Sequence, residues 1–267
     1  LDHYFPQLIE EPIYYGDGQI LDEDYVYGSF VQSKMYKNNV ACNNCHNSHS
    51  LKLKFDGNAL CAQCHVPDKY NTPKHHFHEM GTDGARCINC HMPGKYYMGN
   101  DFRRDHSFRV PRPDLSLQYG TPNACTGCHK KDDKWAWESF QKLFGTVDSI
   151  HFSDKLVPGI TRQPNGYVGL LDLINKKGET EIVRASAVKA LSGYGTENFI
   201  NQYLSWLNDR SAVVRGATID VLSEINNTDY VNSFLPLLKD PKRSVRIKAF
   251  YALSGLNESN VPEVYRI

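Results

Sequence analysis

Four short stretches carry the chemistry: "CNNCH" at 42–46, "CAQCH" at 61–65, "CINCH" at 87–91 and "CTGCH" at 125–129. They use all eight cysteines: Cys42, Cys45, Cys61, Cys64, Cys87, Cys90, Cys125 and Cys128. Each pair is followed at once by a histidine, His46, His65, His91 or His129. C-x-x-C-H is the attachment signature of c-type haem. The two thiols add to vinyl groups on one edge of the porphyrin as thioethers, and the next residue brings an imidazole under the iron as proximal ligand. Four motifs therefore imply four covalently bound haem c groups. Two Cys₄ zinc sites would use the same thiols, but zinc gives no reason for a histidine after every pair. Disulfides between cysteines three apart are mostly redox-active, and four in one chain would be out of place.

Each iron then needs a second axial ligand or an open position, and that choice separates an electron carrier from an enzyme. Beyond the four proximal histidines there remain His3, His49, His75, His76, His78, His106 and His151. His49 follows a proximal histidine by three residues, so the ring of that haem bars it from the opposite face; it suits a different haem. His106 lies in "RRDHSF", where Arg103 and Arg104 suit haem propionates, as do Arg109 and Arg112. The cluster "TPKHHFHEM" at 72–80 supplies three more. Thr72 and Pro73 predict a helix start. On a helix His75 and His78 share a face and His76 points about 100° away from His75; on a strand His76 and His78 would share a face instead. The distal set expected is His49, His75, His78 and His106, with His76 and His3 as alternates. With histidines in surplus, Met35, Met80, Met92 and Met98 are read as packing residues.

The elements that must position these groups fall in two halves. Residues 1–134 hold every cysteine and ten of the eleven histidines, with few aliphatic residues. Such a chain would struggle to bury its own core, and porphyrin faces would serve instead, wrapped by loops and short helices at the motifs. Residues 135–165 read as an amphipathic helix, with Trp135, Phe140 and Leu143 as buried candidates, followed by a linker. Trp135 or Trp137 would pack on the last haem or on the following domain. Residues 166–267 carry a repeat: "VRASAVKAL" from Val183, "VRGATIDVL" from Val214 and "VRIKAFYAL" from Val245, a period of 31 residues. Leu173, Leu204 and Leu235 keep the same period. Two helices per unit, stacked because neither buries its apolar face alone, resemble a HEAT-type solenoid. Arg184, Arg215 and Arg246 recur at one position, as a hydrogen-bonded ladder or as a basic stripe. The fold class is thus mainly α with much irregular loop, a multihaem cytochrome c module joined to an α-helical HEAT-like solenoid.

The spaced segments "VYGSFVQSKMY", "CNNCHNSHSLKL", "GNALCAQCH", "HHFHEMGTDGARCINCHMP", "YMGNDFRRDHSFRVPRPDLS" and "GTPNACTGCH" resemble the doubled-CxxCH multihaem cytochromes, closely over about residues 11–145. The resemblance implies electron transfer outside the cytoplasm, covalent haem and histidine axial ligands at His49, His75, His78 and His106. The cluster in relatives tends to read His-x-x-His, which favours His75 over His76. Lys37 stands where relatives often carry histidine, and many relatives carry a further haem module upstream, so the electron entry point does not transfer.

Thirty basic and thirty acidic side chains give no excess that would suggest nucleic acid or an anionic membrane as partner. No apolar run approaches the ~20 residues of a membrane span. With no leader pattern at the start, the sequence reads as a processed chain, and the ending "VPEVYRI" breaks off without a clear helix stop, which is compatible with a natural chain that continues past Ile267. The function expected is an extracytoplasmic (periplasmic, cell-surface or extracellular) tetrahaem electron carrier, not an enzyme. Its closely packed bis-histidine haems would pass electrons to other redox proteins or to copies of itself, with the repeats for docking or self-assembly. The sharper version is a homopolymeric filament in which His3 ligates a neighbour's haem; the plain reading of His3 is a tail residue. The alternative is a multihaem reductase of a small nitrogen or sulfur oxyanion at one open-site haem.

Overall fold

The computed structural model describes residues 4–147, 150–225 and 230–254. Its contacts divide the chain into two compact units, Glu11–Ile150 and, together, Leu1–Glu10 with His151–Ile267. The fold is mainly α with irregular loops. The domain limits expected at 134 and 165 differ from this division. The helix Asp133–Phe144 falls with the cysteine-bearing unit, and the N-terminal ten residues fall with the repeats.

The cysteine-bearing unit is built from short pieces. They are α1 (Val26–Phe30), α2 (Lys34–Lys37), α3 (Cys42–Cys45), α4 (Ala59–Ala62), α5 (Pro67–Tyr70), α6 (Pro73–His76), α7 (Cys87–His91), the antiparallel pair β1 (Gly94–Tyr97) and β2 (Asp101–Arg104), α8 (Pro113–Tyr119), α9 (Ala124–His129) and α10 (Asp133–Phe144). Most helices here are a single turn, too short to be stable alone. Local bonds hold them: Asn123 and Asp132 cap α9 and α10 through their side chains. The protein core is small, with Tyr14, Ile20, Phe30, Val31, Tyr97, Leu115 and Ala136 buried. Leu51, Leu53, Phe55, Val66, Phe77 and Met80 are instead exposed between the motifs. Of the residues expected to be buried on α10, Leu143 is exposed, and the helix stops at Phe144 where Gly145 takes a left-handed φ of 81°. Met80 and Met98, expected to pack, are also exposed.

The repeat unit runs α11 (Ser153–Ile160), α12 (Gly166–Asn175), α13 (Glu181–Leu191), α14 (Ile200–Trp206), α15 (Ala212–Ser223), α16 (Val231–Phe234) and α17 (Arg243–Leu253). The second helices of successive repeats, α13, α15 and α17, stack on one another. Leu170, Leu173, Ile174, Val183, Val188, Leu191, Val214 and Val245 are fully buried between them. In the third repeat the first helix breaks after Phe234 into a tight turn over Leu235–Lys239, where Pro236 removes a backbone donor.

Two of the three recurrent arginines, Arg184 and Arg215, form a buried ladder and not a basic stripe, while Arg246 is half-buried on the Asp240 and Pro241 carbonyls. Arg184 is 7% and Arg215 8% exposed. Arg184 donates two hydrogen bonds to the Asp209 carboxylate and one to the Ile174 carbonyl. Arg215 repeats the fork on Asp240 and also reaches the Asp209 carbonyl. Each of these two arginines thus binds the loop of the next repeat, which fixes the stacking distance.

Candidate functional site

Three of the four motif histidines face a second imidazole. His46 lies 6.4 Å from His106 between ring centres, His91 lies 6.1 Å from His75, and His129 lies 5.9 Å from His78. Such separations fall within the range of ordinary ring packing, and His76–His78 lies at 6.4 Å as well. They also suit one bonded atom between the rings: metal–nitrogen bonds of about 2.0–2.1 Å on each side, with roughly 1.1 Å from ring nitrogen to ring centre, separate two axial imidazoles by about 6.3 Å.

The backbone sets how these rings present themselves. His46 Nδ1 donates to the Leu51 carbonyl at 2.7 Å, His91 Nδ1 to that of Arg109 at 2.9 Å and His106 Nδ1 to that of Arg104 at 2.9 Å. His78 Nδ1 donates to the His76 carbonyl. A carbonyl only accepts, so each proton sits on Nδ1 and the Nε2 lone pair is left for a metal, the usual outer-shell device of ligating histidines. Burial pushes the His75 imidazole below its ordinary value, and His91 and His76 add to the shift.

The cluster at 72–80 is neither a helix throughout nor a strand. Pro73 starts a single turn that ends at His76, and Phe77 turns left-handed with φ 56°. Thr72 stands at the N-cap position, but its side chain makes no capping bond. The left-handed residue, and not an i, i+3 helical face, sends His75 and His78 to different partners. Gly84 makes room for the latter: a Cβ there would lie 2.2 Å from the His78 ring. His76 accepts the His78 backbone N–H on its Nδ1, which commits that ring to bracing the turn. Its Nε2 is buried without a hydrogen-bond partner.

His65 and His49 behave differently. The ring neighbour of His65 is Tyr70, edge-on at 5.7 Å, and Tyr70 is also edge-on to His75 at 5.4 Å. Among the described residues His65 has no facing imidazole. His49 is exposed, with its backbone N–H on Asn47 Oδ1. His3 lies outside the described residues. His151 precedes α11, with its backbone N–H donating to Asp154 Oδ2 and its Nδ1 bonded to Ser153 Oγ.

No disulfide joins any of the eight cysteines, and successive motifs bring theirs together. Cys45 feels Cys64, Cys61 hydrogen-bonds Cys87, and Cys90 feels Cys125 and Cys128. The bond from Cys61 holds the Cys87 thiol down at about 7, against the opposing effect of burial. Burial chiefly pushes Cys45, Cys90 and Cys125 up.

The arginines expected at propionates are engaged with protein. Arg103 bonds Asp101 and Glu23, Arg112 bonds Asp114, and Arg109 pairs with Asp17, a carboxylate 2% exposed. Arg104 grips the Ile88 and Met92 carbonyls and Asn89 Oδ1, clamping the third motif's helix. The segment 104–109 thereby organises His91 and His106 together. Neither this clamp nor the bridging Tyr70 is marked in the sequence by spacing.

Residues 35–70 match the family model for the doubled CXXCH motif. Residues 200–265 match that for HEAT repeats. No curated protein and no solved structure matches the chain. The first match points to covalently bound haem c, as in multihaem c-type cytochromes of electron transfer, and the second to a helical repeat domain. Among the described residues no helix is long and apolar enough to cross a membrane. The donor set fits the cofactor: paired thiols, an adjacent imidazole with Nδ1 tied back, a second imidazole at the right distance, and exposed apolar side chains around them.

Proposed function

We propose that this chain is a tetrahaem electron carrier working outside the cytoplasm. The observation that carries the reading is that three of the four motif histidines each stand 5.9–6.4 Å from a second imidazole. Cys42 with Cys45, Cys61 with Cys64, Cys87 with Cys90 and Cys125 with Cys128 hold one haem each. His46 works with His106, His91 with His75 and His129 with His78. His49 serves the haem of His65, the one motif histidine left without a partner ring.

Haem c supplies one-electron chemistry at iron, and two imidazoles leave no position for a substrate. The protein fixes ligand orientation through the Leu51, His76, Arg104 and Arg109 carbonyls. It keeps the cofactors in sequence order through the thiol neighbours of successive motifs. The repeat unit docks a redox partner or a further copy of the chain; a filament of haem modules is the extended form of the latter.

A second reading, a reductase with one open haem, draws on His65, whose ring neighbour is a tyrosine. Two measurements on the holoprotein decide. Intact mass gives four haems per chain on either reading, and fewer overturns both. Carbon monoxide leaves the reduced spectrum unchanged for the carrier; binding to one haem in four selects the reductase.

A further inference from the structure

The N-terminal segment 4–10 is an extended peptide lying across the repeat helices. Ile9 is 1% exposed, and its backbone N–H donates to Ser186 Oγ on α13 at 2.8 Å. Glu10 pairs with Lys189, also on α13, at 2.8 Å. Phe5 lies beneath the Lys248 ammonium of α17, 4.8 Å from its ring centre, and against Gly216 of α15. Ser186 and Lys248 stand at equivalent positions two repeats apart, as do Ala185, Gly216 and Ile247 in successive repeats. One peptide therefore reads the same helical face across three repeats.

A second observation is the glycine itself. Gly216 sits inside α15, where glycine costs stability relative to alanine. A Cβ there would lie 2.5 Å from the Phe5 ring. The helix carries a weakening residue at the place where an aromatic side chain enters. Beside the arm a cavity of about 200 Å³ remains, lined by Leu8, Ile160, Arg162 and Lys189 among others.

We propose that this face of the repeat unit is a peptide-recognition groove for an aromatic residue followed four positions later by an aliphatic residue and an acid. Its occupant is the arm of this chain, Phe5, Ile9 and Glu10, and the arm of a second copy fits it identically. The chain leaves the repeat unit at Glu10, where the other unit begins, so an arm exchanged between copies keeps every contact and changes only the connection. This specifies the docking role given above to the repeats and is independent of haem ligation.

Two variants of the full holoprotein test it. A chain lacking residues 1–10 has an open groove and no arm. Gly216→Leu has a blocked groove and a released arm. Each alone is monomeric by light scattering, and a mixture forms a one-to-one complex; a mixture that stays monomeric overturns the exchange. A fluorescent peptide with the sequence of residues 1–10 binds the truncated chain saturably. It binds the intact chain at least about tenfold more weakly, because a tethered arm competes at high effective concentration. Phe5→Ala with Ile9→Ala in the peptide abolishes binding. No binding, or equal binding to both chains, overturns the groove. Should a variant lose its haem spectrum or helical signal, hydrogen exchange on the unaltered protein decides: the Ile9 amide is protected, and a freely exchanging amide overturns the proposal.

Discussion

His75 stands opposite His91 with ring centres 6.1 Å apart and planes 11° from parallel, while its neighbour His76 is turned onto the His78 backbone. The two adjacent histidines should therefore respond differently to removal. His75→Ala is expected to convert one of the four haems from low to high spin and to create one carbon monoxide site on reduction. His76→Ala is expected to keep the low-spin spectrum. Visible and electron paramagnetic resonance spectra check both, and the reverse pattern would return the ligand role to His76.

His49→Ala tests the unpaired motif in the same way. Its side chain makes no ring contact among the described residues, so its removal disturbs little packing. On the carrier reading it opens the haem of His65, and the variant gains one equivalent of carbon monoxide binding that the parent lacks. An unchanged titration would mean that His65 draws its partner from elsewhere.

The motifs, the repeat period and the mainly α class were legible because covalent attachment and stacking each impose a fixed spacing: Cys42 to His46 recurs three times, and Val183, Val214 and Val245 are evenly placed. The 72–80 segment was half legible. Pro73 marks a helix start, but nothing local marks Phe77 as left-handed, a conformation set by what surrounds it. The protein partners of the arginines near His106 were only partly legible: Asp101 and Asp114 are two residues away, but Asp17 and Glu23 are about eighty to ninety residues away in sequence. His3 reads as a tail residue because a seven-residue arm shows no periodicity; the arm's meaning lies in its contacts with Gly216, Ser186 and Lys248.

Arg109 carries a further prediction. Its guanidinium is the partner of Asp17, which is 2% exposed and is otherwise held by Gln19. Removing the cation leaves a buried carboxylate unpaired, at a cost of about 3–5 kcal/mol. Arg109→Ala is expected to lower the unfolding free energy by that amount, read from the shift of the denaturant midpoint multiplied by m. Asp17→Asn keeps one oxygen to accept from Gln19, which now donates to both carboxylate oxygens; it leaves no buried charge, and Arg109 still reaches the Asp17 carbonyl, so it should cost less. Equal effects would mean that the ion pair contributes little.

The Arg184–Asp209 pair gives a pH-dependent test in the repeat unit. Burial alone would raise the Asp209 pKa, but the Arg184 fork, the Ser211 N–H and the charges of Arg184 and Arg210 outweigh it and hold the carboxyl below its ordinary value. A carboxylate depressed in the folded state contributes its stability above the unfolded value of about 3.9, and that contribution is lost as pH falls through the lower folded value. Asp209→Asn is therefore expected to destabilise the unit by about 3 kcal/mol at pH 7, because Arg184 is left buried without its counter-charge. The difference between variant and parent should shrink steadily below about pH 4. Lys176→Ala serves as the control, since its exposed ion pair with Glu179 is worth under about 1 kcal/mol. Thermal unfolding followed at 222 nm across pH, a wavelength at which helix dominates, reads all three, and a gap between Asp209→Asn and the parent that stays constant into acid would show that the stabilisation comes from packing and not from the charge.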